Sequence, residues 1–98
     1  MKLLTKEIGS KIPNLYEQEG KGEDAVAYIK FFLTGTRWTW YATEFNRKDA
    51  FFGWVKSGIS QDFDEWGYFS LSELREVNVE RDLYFEPTPL KEIIENSK

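Results

Sequence analysis

The chain has 98 residues, 13 Lys+Arg against 17 Asp+Glu and a formal charge of -4, enough for one hydrophobic core but not for a two-domain enzyme, so a single domain over residues 1–98 is expected. The acidic balance repels a phosphate backbone and disfavours general nucleic-acid binding. With no Cys and no His, disulfide scaffolds, zinc fingers, thiolate nucleophiles, imidazole bases and Ser-His-Asp triads are excluded by inventory.

Lys2, Lys6 and Glu7 interrupt the first residues, so no secretory signal is read there. No stretch approaches the ~20 apolar residues of a membrane span, and the expected location is the cytoplasm. From Thr5, a plausible cap, Ile8, Ile12 and Leu15 fall on one face of a short helix that Pro13 should end near Ile12. Tyr16 to Glu23 contains Gly20 and Gly22 among charged residues and reads as a loop. Gly20-Lys21-Gly22 lacks the rest of a phosphate-loop motif and is taken as a turn.

Three strands follow: Ala25 to Leu33, Arg37 to Phe45 and Ala50 to Lys56, separated by turns at Thr34-Gly35-Thr36 and Asn46 to Asp49. In the second, strict alternation places Arg37, Thr39, Tyr41, Thr43 and Phe45 on one side and Trp38, Trp40, Ala42 and Glu44 on the other. Ser57 to Ser60 turns the chain into a short fourth strand over Glu65 to Phe69. Ser70 and Glu73 have capping-box spacing, so a brief helix is expected from Leu71 to about Glu76. Val77, Val79, Leu83 and Phe85 read as an extended return along a sheet edge, and Thr88-Pro89 as the start of a terminal helix bearing Leu90, Ile93 and Ile94.

The expected fold is α+β: a curved antiparallel sheet of about four strands, with short helices at both ends of the chain packed on one face. A small, partly closed barrel bent at Gly53 and Gly67 is the competing architecture. An edge at Ala25 to Leu33 or Ala50 to Lys56 would be a dimerisation surface, but the sequence leaves the oligomeric state open.

Aromatic residues make up 17 % of the chain, chiefly as core for a small sheet, with part of the Trp38, Trp40 and Tyr41 set offered to a partner. Two candidate surfaces emerge. Asp62, Asp64, Glu65, Glu73, Glu76, Glu80 and Asp82, with Glu86, face only Arg75 and Arg81. This acidic block, including Arg81, is suited to a basic protein groove. Alternatively, Trp38, Trp40 and Tyr41 stack single-stranded bases while Arg37, Arg47 and Lys48 meet phosphates. A metal-dependent nuclease would need converging carboxylates from Glu44, Asp49, Asp62 and Asp64, but these form no ligand motif. No catalytic residue, metal or cofactor is assigned.

Several ordered segments together resemble the bacterial domain-of-unknown-function family 2958: Gly22 to Phe32, Trp38 to Phe45, Phe51-Phe52-Gly53, Gly67 to Leu74 and Glu80 to Pro87. The likeness runs from Leu3 to about Leu90 and is weakest over Gly58 to Asp64. It implies a small protein carried on plasmids, phages and conjugative elements, often near antirestriction genes. Some members are similar to inhibitors of the type II CRISPR nuclease Cas9, and others carry the label of single-stranded DNA endonuclease. The resemblance therefore implies a protein partner, such as a CRISPR or restriction effector, and supplies no catalytic residues.

Overall fold

The computed structural model describes residues 2–96. It contains three short helices, α1 (Lys6–Lys11), α2 (Leu71–Arg75) and α3 (Leu90–Asn96), and seven strands. The strands are β1 (Val26–Ala27), β2 (Ile29–Leu33), β3 (Thr39–Phe45), β4 (Ala50–Lys56), β5 (Glu65–Ser70), β6 (Val79–Arg81) and β7 (Thr88–Pro89). No described helix is long and apolar enough to cross a membrane.

Local chemistry sets many of the boundaries. The Thr5 hydroxyl caps α1 by accepting from Ile8 N at 3.2 Å, and Pro13 follows the helix, leaving Leu15 outside it. Ser70 caps α2 by accepting from Glu73 N at 3.1 Å, and donates its own hydroxyl to the Glu73 carboxylate at 2.8 Å. In the β3–β4 turn, Asn46 Oδ1 accepts the amides of Lys48, Asp49 and Ala50 at 2.9 to 3.0 Å. One side chain thus satisfies three otherwise unpaired donors.

The architecture is α+β, but the expected curved four-stranded sheet, and its barrel alternative, are not what forms. There are two separate antiparallel sheets: five strands in the order β5-β4-β3-β2-β6, and a two-stranded β1–β7 pair. The return segment supplies the fifth strand, with Leu33 opposite Val79 and Phe31 opposite Arg81. Thr88 and Pro89 do not begin the terminal helix but pair with Ala27 and Val26, because Leu90 N donates to Ala25 O at 2.9 Å and holds this segment extended. The larger sheet stays open, with β5 and β6 at its edges.

The helices at the two ends of the chain do not share a face either. Leu3, Ile12, Leu71 and Leu74 pack with Phe31, Ala42, Phe45, Phe51 and Phe69, joined by Ile8 of α1. Leu90 and Ile93 of α3 instead pack with Ala25, Ala27 and Tyr41. Tyr41 and Ala42 are successive residues of β3 and point to opposite sides of the sheet. The two clusters therefore lie on opposite faces, α1 and α2 with one and α3 with the other.

A bulge decides which later residues join each cluster. Ala42 pairs with Gly53 and Glu44 with Phe52, leaving Thr43 as the extra residue. The insertion reverses the alternation beyond it, so Phe45 packs with Ala42 rather than Tyr41. Gly53 makes room for the bulge: a Cβ there would sit 1.8 Å from Tyr41 O and 3.1 Å from Ala42 Cα.

Candidate functional site

The acidic block is continuous in sequence but divided in space. Asp62, Asp64 and Glu65 stand at the start of β5, Glu73 and Glu76 on and just after α2, and Glu80, Arg81 and Asp82 at β6. β5 and β6 are opposite edges of the sheet, so four strand spacings, roughly 19 Å, separate Glu65 from Arg81 along the same row. Asp64 accepts from Ser57 N at 2.7 Å, Glu73 serves the α2 cap, and Glu80 accepts the Thr34 hydroxyl at 2.7 Å.

The β6 edge is the more organised part. Arg81 donates to Leu3 O at 3.3 Å. Asp82 N donates to Lys30 O at 2.9 Å, while the Asp82 carboxylate lies 3.7 Å from Lys30 Nζ and accepts from Tyr84 N at 2.9 Å. Phe85 then turns inward, its ring centroid 5.9 Å from that of Tyr41. Between these anchors Leu83 and Tyr84 project outward, 62 % and 92 % exposed. A shallow groove of about 540 Å³ lies beside them, bounded by Phe32, Thr39, Glu80 and Asp82 among others. Sequence reasoning placed Leu83 in the return segment and missed its exposure, because the alternation that would bury it ends at Asp82.

The residues of the nucleic-acid alternative are also dispersed. Trp38 and Trp40 stack with centroids 6.2 Å apart at 22°, and exposed Arg37 is close to them in sequence. Tyr41, however, is 7 % exposed in the cluster under α3, where burial raises its pKa above the ordinary 10.0, with smaller contributions from the Asp82 and Asp64 carboxylates. Arg47 and Lys48 lie at the far end of β3, in the turn to β4. The Arg47 guanidinium is committed to the backbone carbonyls of Gly9 and Ile12 and to Asn14 Oδ1; it ties the end of α1 to that turn.

Of the carboxylates considered for a metal, Glu44, Asp49 and Asp64 accept hydrogen bonds from the chain. Glu44 accepts the amides of Tyr16 and Gln18 at 2.9 and 2.8 Å, and Asp49 accepts Ser72 N and Oγ at 2.9 and 2.7 Å. Among the described residues no three acidic side chains converge as a metal-holding group.

Sequence reasoning also missed the clamp over the α3 side of the sheet. Gln18 is buried; its amide donates to Val26 O and Thr43 O at 2.9 and 2.7 Å, and accepts from Val26 N at 2.7 Å. Together with Glu44 it fastens the loop after α1. Beside this clamp lies a cavity of about 430 Å³, floored by Phe52 and Trp66, whose rings stack at 5.6 Å and 5°. Tyr68 tilts against Phe52 at 4.9 Å and 60°. Its pKa is raised above 10.0, first by the hydrogen bond to the Tyr16 side chain and then by partial desolvation and nearby negative charge.

Residues 3–97 match the family model described as protein of unknown function, DUF2958. No curated protein and no solved structure gives a match. A match over nearly the whole chain, in agreement with the resemblance carried by its ordered segments, makes this protein a member of the DUF2958 family.

Proposed function

We propose that this chain is a one-domain, cytoplasmic, non-enzymatic binding protein of a mobile element that docks on a protein partner through the β6 edge and the Leu83-Tyr84 turn. The observation that carries this reading is Tyr84, 92 % exposed on a turn held by Asp82 and anchored by Phe85. An aromatic side chain displayed on a preorganised turn suits a binding anchor. Glu80 and Asp82 share the groove beside it with Lys30 and Arg81, so a partner meets charges of both signs there. The family resemblance makes a CRISPR or restriction effector, including a Cas9-type nuclease, the first class to test.

Tagged protein would be used to capture partners from host lysate with and without nuclease treatment, followed by titration of the recovered protein. A nuclease-resistant complex weakened about tenfold or more by Tyr84→Ala supports the reading. A partner that binds the Tyr84→Ala and Glu80→Lys variants as well as the parent would overturn the assignment to this edge. The Trp38–Trp40 stack supports a second reading, single-stranded DNA binding beside Arg37. That reading requires salt-sensitive binding of an oligonucleotide that is lost in Trp38→Ala.

A further inference from the structure

On the α3 side of the sheet, two covers leave a gap. α3 and Phe85 close over Tyr41 and Trp54, while the loop tied by Glu44 and Gln18 closes over Thr43. Between them remains the cavity of about 430 Å³, within the size range of small-molecule sites. Its aromatic boundary comes from Phe52, Trp66, Tyr68 and Tyr16. Trp66 and Tyr68 are 37 % and 60 % exposed, so their rings stay within reach of whatever enters instead of being closed off as core. Its ionisable boundary, apart from the two phenols, is Glu19 and Glu44, and among the described residues no Lys or Arg lines it.

Ring faces carry negative electrostatic potential, and carboxylates add formal negative charge, so the complementary occupant is a cation. The hydrogen-bonding capacity narrows the choice. Each Glu44 oxygen already accepts a backbone amide, so a primary ammonium, with three donors to satisfy, would compete with those amides at Glu44 and depend on Glu19 for the rest. A cation surrounded by methyl groups needs no such acceptors, gains from contact with the rings and loses little hydration. We infer that the cavity of Tyr16, Phe52, Trp66 and Tyr68, backed by Glu19 and Glu44, is a binding site for a methylated ammonium group. The group belongs either to a free small molecule or to a methylated lysine of another protein. The site lies on β3, β4, β5 and the loop after α1, whereas the Tyr84 turn follows β6 at the other edge.

The test is a nuclear magnetic resonance titration of the intact protein with three probes at matched ionic strength: choline, a trimethyllysine peptide, and 3,3-dimethylbutan-1-ol, the uncharged isostere of choline. Saturable shifts centred on the Trp66 indole and the Gly20 and Gly22 amides are expected from at least one cation, with the neutral alcohol at least tenfold weaker. Tighter binding of choline identifies a free ligand as the source of the group, and tighter binding of the peptide a modified protein. Trp66→Ala should weaken the cation about tenfold, and Glu19→Gln two- to threefold. Unchanged Ile12 and Ile29 methyl signals would show that the Trp66→Ala core is intact. Equal binding of the neutral alcohol, or no saturable shift with either cation, overturns the proposal. Because Tyr84→Ala leaves this cavity untouched, failure here is separable from failure of the partner reading.

Discussion

The two faces of the five-stranded sheet solve different problems with the same residue type. On the α1 side Phe31, Phe45 and Phe69 each contact Phe51 ring to ring, with centroids 4.6 to 5.5 Å apart, and Leu71, Leu74 and Ile12 close the layer. On the α3 side Phe52, Trp54, Trp66 and Tyr68 make comparable ring contacts, but polar clamps and a cavity replace part of the apolar cover. Similar aromatic packing thus yields a closed phenylalanine cluster on one side and a cavity on the other. The difference comes from what is laid over the rings rather than from the rings themselves.

The strongest way to break this contrast is at the bulge that sorts residues between faces. Gly53→Ala should cost about 3 kcal/mol or more, since its Cβ would strike the backbone of Tyr41 rather than a side chain that can turn away. Urea denaturation should show the loss, and a variant of unchanged midpoint would sink the argument for the bulge. Next in size is Glu44→Ala. It leaves two buried or half-buried amides without an acceptor and should cost about 2–4 kcal/mol. Accelerated hydrogen exchange at Tyr16 and Gln18, with Phe51 still protected, would place the damage on the α3 side; uniform loss of protection would deny that the faces are separable.

Alkaline pH sharpens the same comparison. Tyr41 and Tyr68 both titrate above 10.0 in the folded chain, so the native state holds their protons more tightly than the unfolded state does. The stabilisation is present below pH 10 and falls away as pH rises through the raised folded values. Both phenols lie on the α3 side, so alkaline denaturation should begin there. Tyr41→Phe should flatten the fall in stability. Tyr16→Phe should bring the Tyr68 transition in an ultraviolet absorbance titration back toward 10.0, and an unmoved Tyr68 would show that the phenol pair is not what raises it. The smallest effect on stability belongs to Tyr84→Ala, within about 0.5 kcal/mol for so exposed a side chain. A larger loss would mean that Tyr84 is structural and not displayed.

The sequence made the local elements legible where the chemistry is local. The Thr5 and Ser70 caps, the stop at Pro13 and strand β4 each follow from residues within a few positions of one another. Face assignment along β3 was legible only as far as Ala42, because one inserted residue at Thr43 inverts everything after it. The Glu44 and Gln18 clamp joins residues about 25 positions apart, and neither periodicity nor composition reports such a pairing. The acidic block shows the converse: residues near in sequence were read as one surface, and strand order sends them to two edges. Of the residues named for the acidic block, Glu80, Arg81 and Asp82 lie together at β6, while the exposed side chains beside them required the turn geometry to be seen.

The pairing of β1 with β7 bears on the order of assembly. β2 to β5 are linked by successive hairpins, so their contacts close short loops and are favoured early. Val26 meets Pro89 only after nearly the whole intervening chain has been placed, which makes that pair and α3 a late clasp across a sheet already formed. Leu90→Ala should therefore act mainly on the unfolding rate, and Phe51→Ala should slow folding as well. Chevron kinetics giving Leu90 the larger effect on folding would reverse that order.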